Sequence, residues 1–275
     1  MSLSPHASRW VVAAVAAPVI LWILFLAPSV FFFILVALFG ALAWFEFYTV
    51  VFGPDAPRTL LLIAVIGWLL VAAGAFWHGP IGQLGGLFAA VALGMLYFVF
   101  HYEKIAFITN QVGRFAIGHA YLSLFFSCLI PVFLTEYGSR WILFALLVTF
   151  LGDTGAFYAG RTFGKRPLYP AVSPKKTWEG LAGGVLASGV VASIVAAAML
   201  PVPWPRVLPL GLFMGLWAAA GDLLESMLKR AANVKDSGTL LMGHGGVWDR
   251  IDALAFNIPL VYMYIAFCTG EAVSV

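Results

Sequence analysis

The sequence predicts an all-α polytopic membrane protein with about nine transmembrane helices. Of its 275 residues, 63% are hydrophobic and only 10% are charged, whereas a soluble domain carries about 25% charged residues. Apolar runs of about 20 residues, the length that spans a bilayer, recur along the chain. The two cysteines lie inside such runs and form neither a disulfide framework nor a metal-binding pattern. These observations exclude soluble, fibrous and disordered proteins.

The apolar runs predict nine spans, with tight turns at Pro28-Ser29 and at His78-Gly79-Pro80. No small-residue cleavage site follows the first run, so we interpret it as a retained span and not as a signal peptide. We expect residues 1–140 to form a scaffold of N-terminal helices and residues 141–275 to form the catalytic region. The predicted spans are Trp10–Ala27, Val30–Phe52, Thr59–Trp77, Leu84–Phe100, Phe115–Leu134, Trp141–Gly160, Thr177–Leu200, Val207–Leu224 and Ile251–Cys268.

The distribution of Lys and Arg predicts the orientation. With nine spans, thirteen of the fifteen basic residues fall on the side of the N-terminus, and only Arg140 and Arg206 fall on the other side. Because cytoplasmic loops carry the excess of Lys and Arg, we expect a cytoplasmic N-terminus and an external C-terminus. The two long polar loops then face the cytoplasm, which in a bacterium places the protein in the inner membrane.

Glu46 is the one deep charge in the first half of the chain, and aromatic residues flank it. A buried acid in a bilayer is costly and is a functional candidate by default. The alternative is that Glu46 lies near the cytoplasmic interface and extends its carboxylate to water.

Four further acids lie in or beside apolar runs of the second half, next to loops rich in Lys and Arg. They are Asp153, Glu179, Asp222 and Asp252. Acids near a cationic membrane face suggest a site for a polyanion, with a divalent metal between them. The glycines around Asp153 allow close backbone approach, although helix packing explains them equally well. Packing does not explain the carboxylate of Asp153.

The stretch Ser173-Pro174-Lys175-Lys176 predicts a helix start, with Ser173 as N-cap and Pro174 at the first helical position. Two lysines in a first turn repel the positive end of the helix dipole unless an anion joins them. The pattern therefore predicts a phosphate pocket. Contact of both lysines with anionic lipid headgroups is the alternative.

A helical face is predicted between Asp222 and Lys229. Asp222, Glu225, Ser226 and Lys229 have the spacing of one helix face, which fits either a site or a structural ion-pair stripe. Lys229 returns almost to the azimuth of Asp222, and Arg230 lies about 80° further round. A polar loop with Lys235, Asp236 and Gly243-His244-Gly245-Gly246 follows, and we expect it to expose backbone donors. Asp249 is expected to cap the last helix, with Asp252 one turn later.

These motifs resemble the signature of the CDP-diacylglycerol synthase family, also called phosphatidate cytidylyltransferases. The resemblance rests on Ser226-Met-Leu-Lys229-Arg230, Lys235-Asp236 and His244-Gly245-Gly246-Val-Trp-Asp249-Arg250-Ile-Asp252. Asp153-Thr-Gly-Ala, Gly160-Arg161 and Ser173–Gly180 are similar to that family as well. The resemblance covers roughly residues 150–257, and Met242 departs from it, because the family usually has Pro or another small residue there.

The resemblance implies that CTP and phosphatidate give CDP-diacylglycerol and pyrophosphate with Mg²⁺, and it allows a monovalent cation such as K⁺ beside the Mg²⁺. It implies that Asp222 and Asp249 hold the metal centre, and we add Asp252 as a nearby candidate ligand. The candidate catalytic residues are Asp222, Lys229, Arg230, Lys235, Asp236, His244 and Asp249; the candidate substrate-binding residues are Asp153, Ser173, Lys175, Lys176, Arg230 and Arg250. A homodimer is implied by the resemblance alone, the lipid bilayer is the expected surrounding, and no nucleic-acid partner is expected.

Two other functions fit parts of the pattern. A CTP-dependent polyprenol or phytol kinase would transfer the γ-phosphate and not the nucleotidyl group, and the complete signature argues against it. A cation-coupled transporter would use intramembrane acids as ion ligands, but such proteins show related halves. Here one half is nearly free of charge and the other holds the whole cluster.

Overall fold

The computed structural model describes residues 17–101, 105–238 and 245–270, and these residues are mostly helical. The helices are α1 (residues 17–25), α2 (Ser29–Phe52), α3 (Arg58–Phe100), α4 (Ile105–Gly118), α5 (Leu129–Phe133), α6 (Gly138–Phe163), α7 (Trp178–Met199), α8 (Trp204–Ala231) and α9 (Trp248–Tyr264). π-Helical turns follow α4 at His119–Phe125 and α9 at Ile265–Thr269. Strands β1 (Pro167–Tyr169) and β2 (Ser173–Thr177) form an antiparallel pair between α6 and α7.

In the described part of the chain, seven helices are long and apolar enough to cross a membrane. One of them, α3, is broken at His78 and at Gly79, where φ is +56°, a conformation that glycine adopts without penalty. The chain reverses there, and the two halves of α3 pack against each other. A Cβ on Gly74 would collide with the backbone of Gly82, and one on Gly86 would collide with the backbone of Leu70. The predicted turn at His78 is therefore confirmed, and α3 supplies two of the predicted spans. The predicted span Trp10–Ala27 lies partly outside the described residues, so the count of nine stays a prediction.

Two helices extend seven or more residues beyond their predicted ends. Helix α4 begins ten residues before the predicted Phe115, and its Arg114 donates to the carbonyl of Val51 at 2.8 Å. Helix α8 continues seven residues past the predicted Leu224. Both extensions carry charged side chains, so an apolar run underestimates the length of a helix whose end is polar.

The helices group into two compact units. The first joins the described residues up to Ile130 with Ala232–Arg250, and the second joins Pro131–Ala231 with the described residues from Ile251 onward. The described residues of the loop that precedes α9 (232–238 and 245–247, called the signature loop below) thus group with the N-terminal helices. The acids of α8 and Asp252 belong to the second unit.

Large aromatic residues form the core of the first unit. Trp44, Trp68 and Trp248 are fully buried. The indole of Trp44 donates to Ser123 at 2.9 Å, and the indole of Trp68 donates to the carbonyl of Ala37 at 2.9 Å. Each indole N–H thus has the acceptor that a buried polar group requires.

Small residues bring α6 and α7 together in the second unit. A Cβ on Gly155 would collide with Ala187, and one on Gly183 would collide with Ala159. Such contacts allow two helix backbones to approach closely, which drives helix association in a membrane. The packing interpretation of the glycines near Asp153 is confirmed.

Candidate active site

A cavity of about 520 Å³ lies in the second unit, between α6, β2, α7 and α8. Gly152, Gly160 and Gly180 contribute to its wall. The charged residues of the wall are Asp153, Arg161, Lys175, Lys176 and Asp222. The structure therefore brings together four residues that the sequence nominated, Asp153, Lys175, Lys176 and Asp222, although they come from three different elements.

Three carboxylates cluster beside this cavity. Asp222 and Glu225 on α8 and Asp252 on α9 each offer an oxygen within 4.8 Å of the others. Asp222 and Glu225 are one helical turn apart, so α8 presents both on one side, as the sequence predicted. Carboxylate oxygens are the ligands that Mg²⁺ prefers in proteins. This donor set fits a divalent cation, and Glu225 is a member that the sequence placed on the face but did not nominate as a ligand.

Two carboxylates of the cluster form ion pairs with lysines. Lys229 contacts Glu225 at 2.9 Å, and both side chains are buried. This contact is the ion pair that the structural-stripe hypothesis predicts. Asp222 forms an ion pair with Lys176 of β2. The hydroxyl of Ser226 donates to Oδ1 of Asp222 at 3.4 Å. The face thus holds a structural pair and, next to it, a carboxylate that reaches the cavity.

The predicted helix start at Ser173 is wrong. Ser173–Thr177 is strand β2, paired with β1, and helix α7 begins at Trp178. Thr177 is the N-cap, because its hydroxyl accepts from Gly180 at 3.1 Å. The first turn carries Glu179, the charge that the dipole favours. Lys175 and Lys176 therefore reach the cavity from an extended strand and not from a helix end.

Glu179 fixes the loop that follows α6. Its Oε2 accepts from the backbone N–H groups of Lys165 and Arg166, at 3.1 and 3.2 Å. The sequence marked Glu179 as an acid at a span edge without assigning it a role. Its observed role is to hold the chain between α6 and β1, immediately before the β1–β2 hairpin that carries both cavity lysines.

Asp249 does not cap α9 as predicted. Helix α9 begins at Trp248, so Asp249 lies in the first turn. Its Oδ2 accepts from the backbone N–H groups of Gly246 at 2.8 Å and Ser237 at 3.1 Å. Gly246 is buried, so its N–H is not the exposed donor that the sequence suggested. Asp252 does follow one turn later, as predicted.

Glu46 is buried, with 2% of its surface exposed, so the interpretation that it reaches water at the interface is wrong. Its carboxylate accepts from the Ser237 hydroxyl at 2.9 Å and from the backbone N–H groups of Val247 at 3.0 Å and Trp248 at 2.8 Å. Sequence analysis missed this role, because the partners lie about two hundred residues further along the chain.

The remaining nominated residues lie at the surface or outside the described residues. Arg230, Lys235, Asp236 and Arg250 are exposed. Arg230 lies in the last turn of α8, next to the buried Lys229. His244 and the divergent Met242 fall outside the described residues, so their predicted roles stay predictions.

Together, the apolar helices and the charged cavity define an integral, multi-pass membrane protein with a site suited to a phosphate-bearing substrate. The chain belongs to the cytidylyltransferase family, whose pattern it matches over residues 7–268. It is therefore an enzyme of the nucleotidyltransferase class. Both the family resemblance and the expectation of a transferase are confirmed.

Curated relatives match most of the chain. A phosphatidate cytidylyltransferase of Bacillus subtilis is 33% identical over 261 residues, which is 93% of this chain and 96% of the relative. Proteins of the same name from Staphylococcus epidermidis and Mycobacterium bovis are each 36% identical. The first covers 74% of this chain and 77% of the relative, and the second covers 70% and 68%.

Proposed function

We propose that this protein transfers CMP from CTP to phosphatidate in an Mg²⁺-dependent reaction that forms CDP-diacylglycerol and pyrophosphate. The names of the relatives support this substrate pair. The observation that carries the proposal is the cavity of the second unit, which Lys175, Lys176 and Asp222 line together. An anionic lipid keeps its acyl chains in the bilayer, so its phosphate must react at such a charged cavity within apolar helices.

The reaction requires charge neutralisation more than proton transfer. The nucleophile is a phosphate monoester whose second pKa is about 6, so it is mostly a dianion at neutral pH. Its oxygen bonds to the α-phosphorus of CTP while the bond from that phosphorus to the β-phosphate bridging oxygen breaks. Pyrophosphate leaves with the electron pair of that bond. Cations and positioning groups must therefore neutralise the two polyanions and align the attacking oxygen with the leaving group.

A divalent metal fits the carboxylate cluster. Asp222, Glu225 and Asp252 would hold it, because each has a carboxylate oxygen within 4.8 Å of the others. The family resemblance adds Asp249 as a ligand. When bound, Mg²⁺ supplies stabilisation of negative charge on the phosphate oxygens, and the resemblance allows K⁺ beside it.

The basic residues bind the two phosphate-bearing substrates in this proposal. Lys175 and Lys176 bind the CTP phosphates, assisted by Asp153 of the cavity wall and by Ser173, which precedes them on β2. Arg230 binds the phosphatidate phosphate. Lys229, Lys235 and Arg250 add positive charge, while Asp236 and His244 complete the signature. The cavity faces the cytoplasm, where CTP is available, and a homodimer is the expected assembly.

Position-specific labels test the proposal. Purified protein is incubated with phosphatidate and Mg²⁺, and with CTP labelled on either the α- or the γ-phosphate. We expect α-label in the lipid and γ-label in pyrophosphate, with no transfer when EDTA replaces Mg²⁺. Omission of phosphatidate is the control. γ-Label in an added polyprenol would identify a lipid kinase and contradict the proposal.

A further inference from the structure

The signature loop before α9 is fastened to a carboxylate of the first helices. We propose that Glu46 is a positioning residue that holds this loop and, through it, Asp249; this inference rests on the proposed function, in which Asp249 is a metal ligand. Glu46 lies on α2, far from the signature in sequence. It belongs to the same compact unit as Ala232–Arg250.

The carboxylate of Glu46 serves as an anionic cap for α9. It accepts the backbone N–H groups of Val247 and Trp248 at 3.0 and 2.8 Å, immediately before and at the start of the helix. The first N–H groups of a helix lack partners within the helix, and the dipole there is positive. Glu46 supplies both the acceptor and the negative charge, a role that usually belongs to a residue next to the helix.

The loop closes tightly around this carboxylate. A Cβ on Gly246 would collide with Glu46 and Ser237, and a Cβ on Gly238 would lie 2.6 Å from Oε1 of Glu46. The indole of Trp248 packs against Phe47 with ring centroids 5.1 Å apart. Gly238 and Gly246 therefore permit the close approach of Glu46, and Phe47 keeps the helix start in place.

Ser237 connects Glu46 to Asp249. Its hydroxyl donates to Oε2 of Glu46 at 2.9 Å, and its backbone N–H donates to Oδ2 of Asp249 at 3.1 Å. Gly246 donates to the same Oδ2 at 2.8 Å, while the next two N–H groups turn to Glu46. The backbone N–H groups of this loop therefore donate to two carboxylates, those of Glu46 and Asp249. Asp249 directly follows Trp248, whose N–H donates to Glu46.

Loss of the negative charge would release this arrangement. In Glu46→Gln the amide nitrogen cannot accept, so one or more buried N–H groups lose their partner, which is costly in a low-dielectric interior. The loop would then sample other conformations and Asp249 would lose its fixed orientation. Partners that orient metal ligands typically change metal affinity by about 10–100-fold when they are mutated.

The experiment compares purified wild-type, Glu46→Gln and Asp55→Asn proteins. Asp55 is an exposed acid in the turn after α2, so its variant controls for the loss of one charge. The probe is Mn²⁺ alone, whose binding is measured by electron paramagnetic resonance without substrate. Hydrogen exchange over residues 245–252 and steady-state kinetics are measured on the same samples.

For Glu46→Gln we expect Mn²⁺ affinity to fall about tenfold or more and the exchange of the loop amides to accelerate. kcat should fall while the phosphatidate KM changes less than about twofold, because ground-state lipid binding is not altered. Asp55→Asn should match the wild type. Unchanged Mn²⁺ affinity would overturn the proposal, with or without faster exchange, since Glu46 would then be structural only.

A second variant keeps the test decisive if Glu46→Gln does not fold. Ser237→Ala retains Glu46 but removes one donor, and we expect Mn²⁺ affinity to fall about fivefold, the equivalent of one hydrogen bond. Wild-type affinity in Ser237→Ala would then overturn the proposal. These binding and exchange measurements need no turnover, so a wild-type protein that makes no CDP-lipid would refute the proposed function separately.

Discussion

The ammonium group of Lys176 and the carboxylate of Asp222 form an ion pair that joins strand β2 to helix α8 on the cavity wall. Their side chains remain 26% and 38% exposed. A partly exposed pair of this kind contributes only about 0–1 kcal/mol to stability. Either residue should therefore tolerate neutralisation without unfolding, which makes the pair suitable for tests of activity.

Neutralising Asp222 should abolish most activity. Asp222→Asn keeps the shape of the side chain but removes the charge that a cation requires, so we expect a loss of at least about 100-fold, a few kcal/mol of transition-state stabilisation. The measurement is CDP-lipid formation at saturating CTP and phosphatidate, with thermal unfolding as a check of the fold. Asp55→Asn is the matched control. A folded Asp222→Asn protein with near-normal activity would exclude Asp222 as an essential ligand.

Removing the ammonium group of Lys176 should weaken CTP binding. The charge lies in the cavity beside Asp222, so Lys176→Ala is expected to raise the CTP KM by about tenfold, the value of one charge-assisted hydrogen bond, and the phosphatidate KM by much less. Initial rates over a matrix of both substrate concentrations separate the two constants. Lys165→Ala removes an exposed lysine before the same hairpin and should change neither. A rise in the phosphatidate KM alone would indicate a headgroup site.

The sequence predicted those parts of the fold and site that depend on local spacing. Asp222 and Glu225 share a side of α8 because residues three apart meet on any helix. The reversal at Gly79 followed from a Gly-Pro pair within an apolar run. Helix packing was one of the two roles that the sequence offered for the glycines near Asp153, because small residues let membrane helices approach closely.

The errors arose where pairing or capping by another element decides the local structure. Ser173-Pro174 has the composition of a helix start, yet pairing with β1 keeps it extended and Thr177 takes the cap. Asp249 has the composition of a cap, but Glu46 already occupies that position from another helix. No local pattern could have indicated this, since Glu46 and Ser237 are 191 residues apart in sequence.

The predicted orientation can be tested on one helix. Helix α7 separates Pro170 from Arg206, and both residues are exposed. In a background without Cys128 and Cys268, we expect Pro170→Cys to react with an impermeant maleimide only from the cytoplasmic side of sealed vesicles. Arg206→Cys should react only from outside, because the positive-inside rule places it there. The reverse pattern would invert the orientation, and labelling of both from one side would show that α7 does not span.

Arg230 should contribute to lipid binding through its geometry and not only through its charge. It is exposed in the last turn of α8, one residue beyond the buried Lys229, so it points to a neighbouring face of the helix. A guanidinium group binds phosphate with two parallel N–H donors, whereas an ammonium group is a point charge. Arg230→Lys therefore keeps the charge and should raise the phosphatidate KM by about tenfold, the value of one charge-assisted hydrogen bond.

The same helix offers the control for this substitution. Arg206 is exposed in the first turns of α8, at the opposite end from the carboxylate cluster, and Arg206→Lys should leave both KM values unchanged. The CTP KM of Arg230→Lys should also stay within about twofold of the wild type, since only ground-state lipid binding is lost. Saturation curves with phosphatidate in mixed micelles provide the measurement. If they coincide for wild-type and Arg230→Lys proteins, Arg230 serves only as a positive-inside charge, and another cation must bind the lipid phosphate.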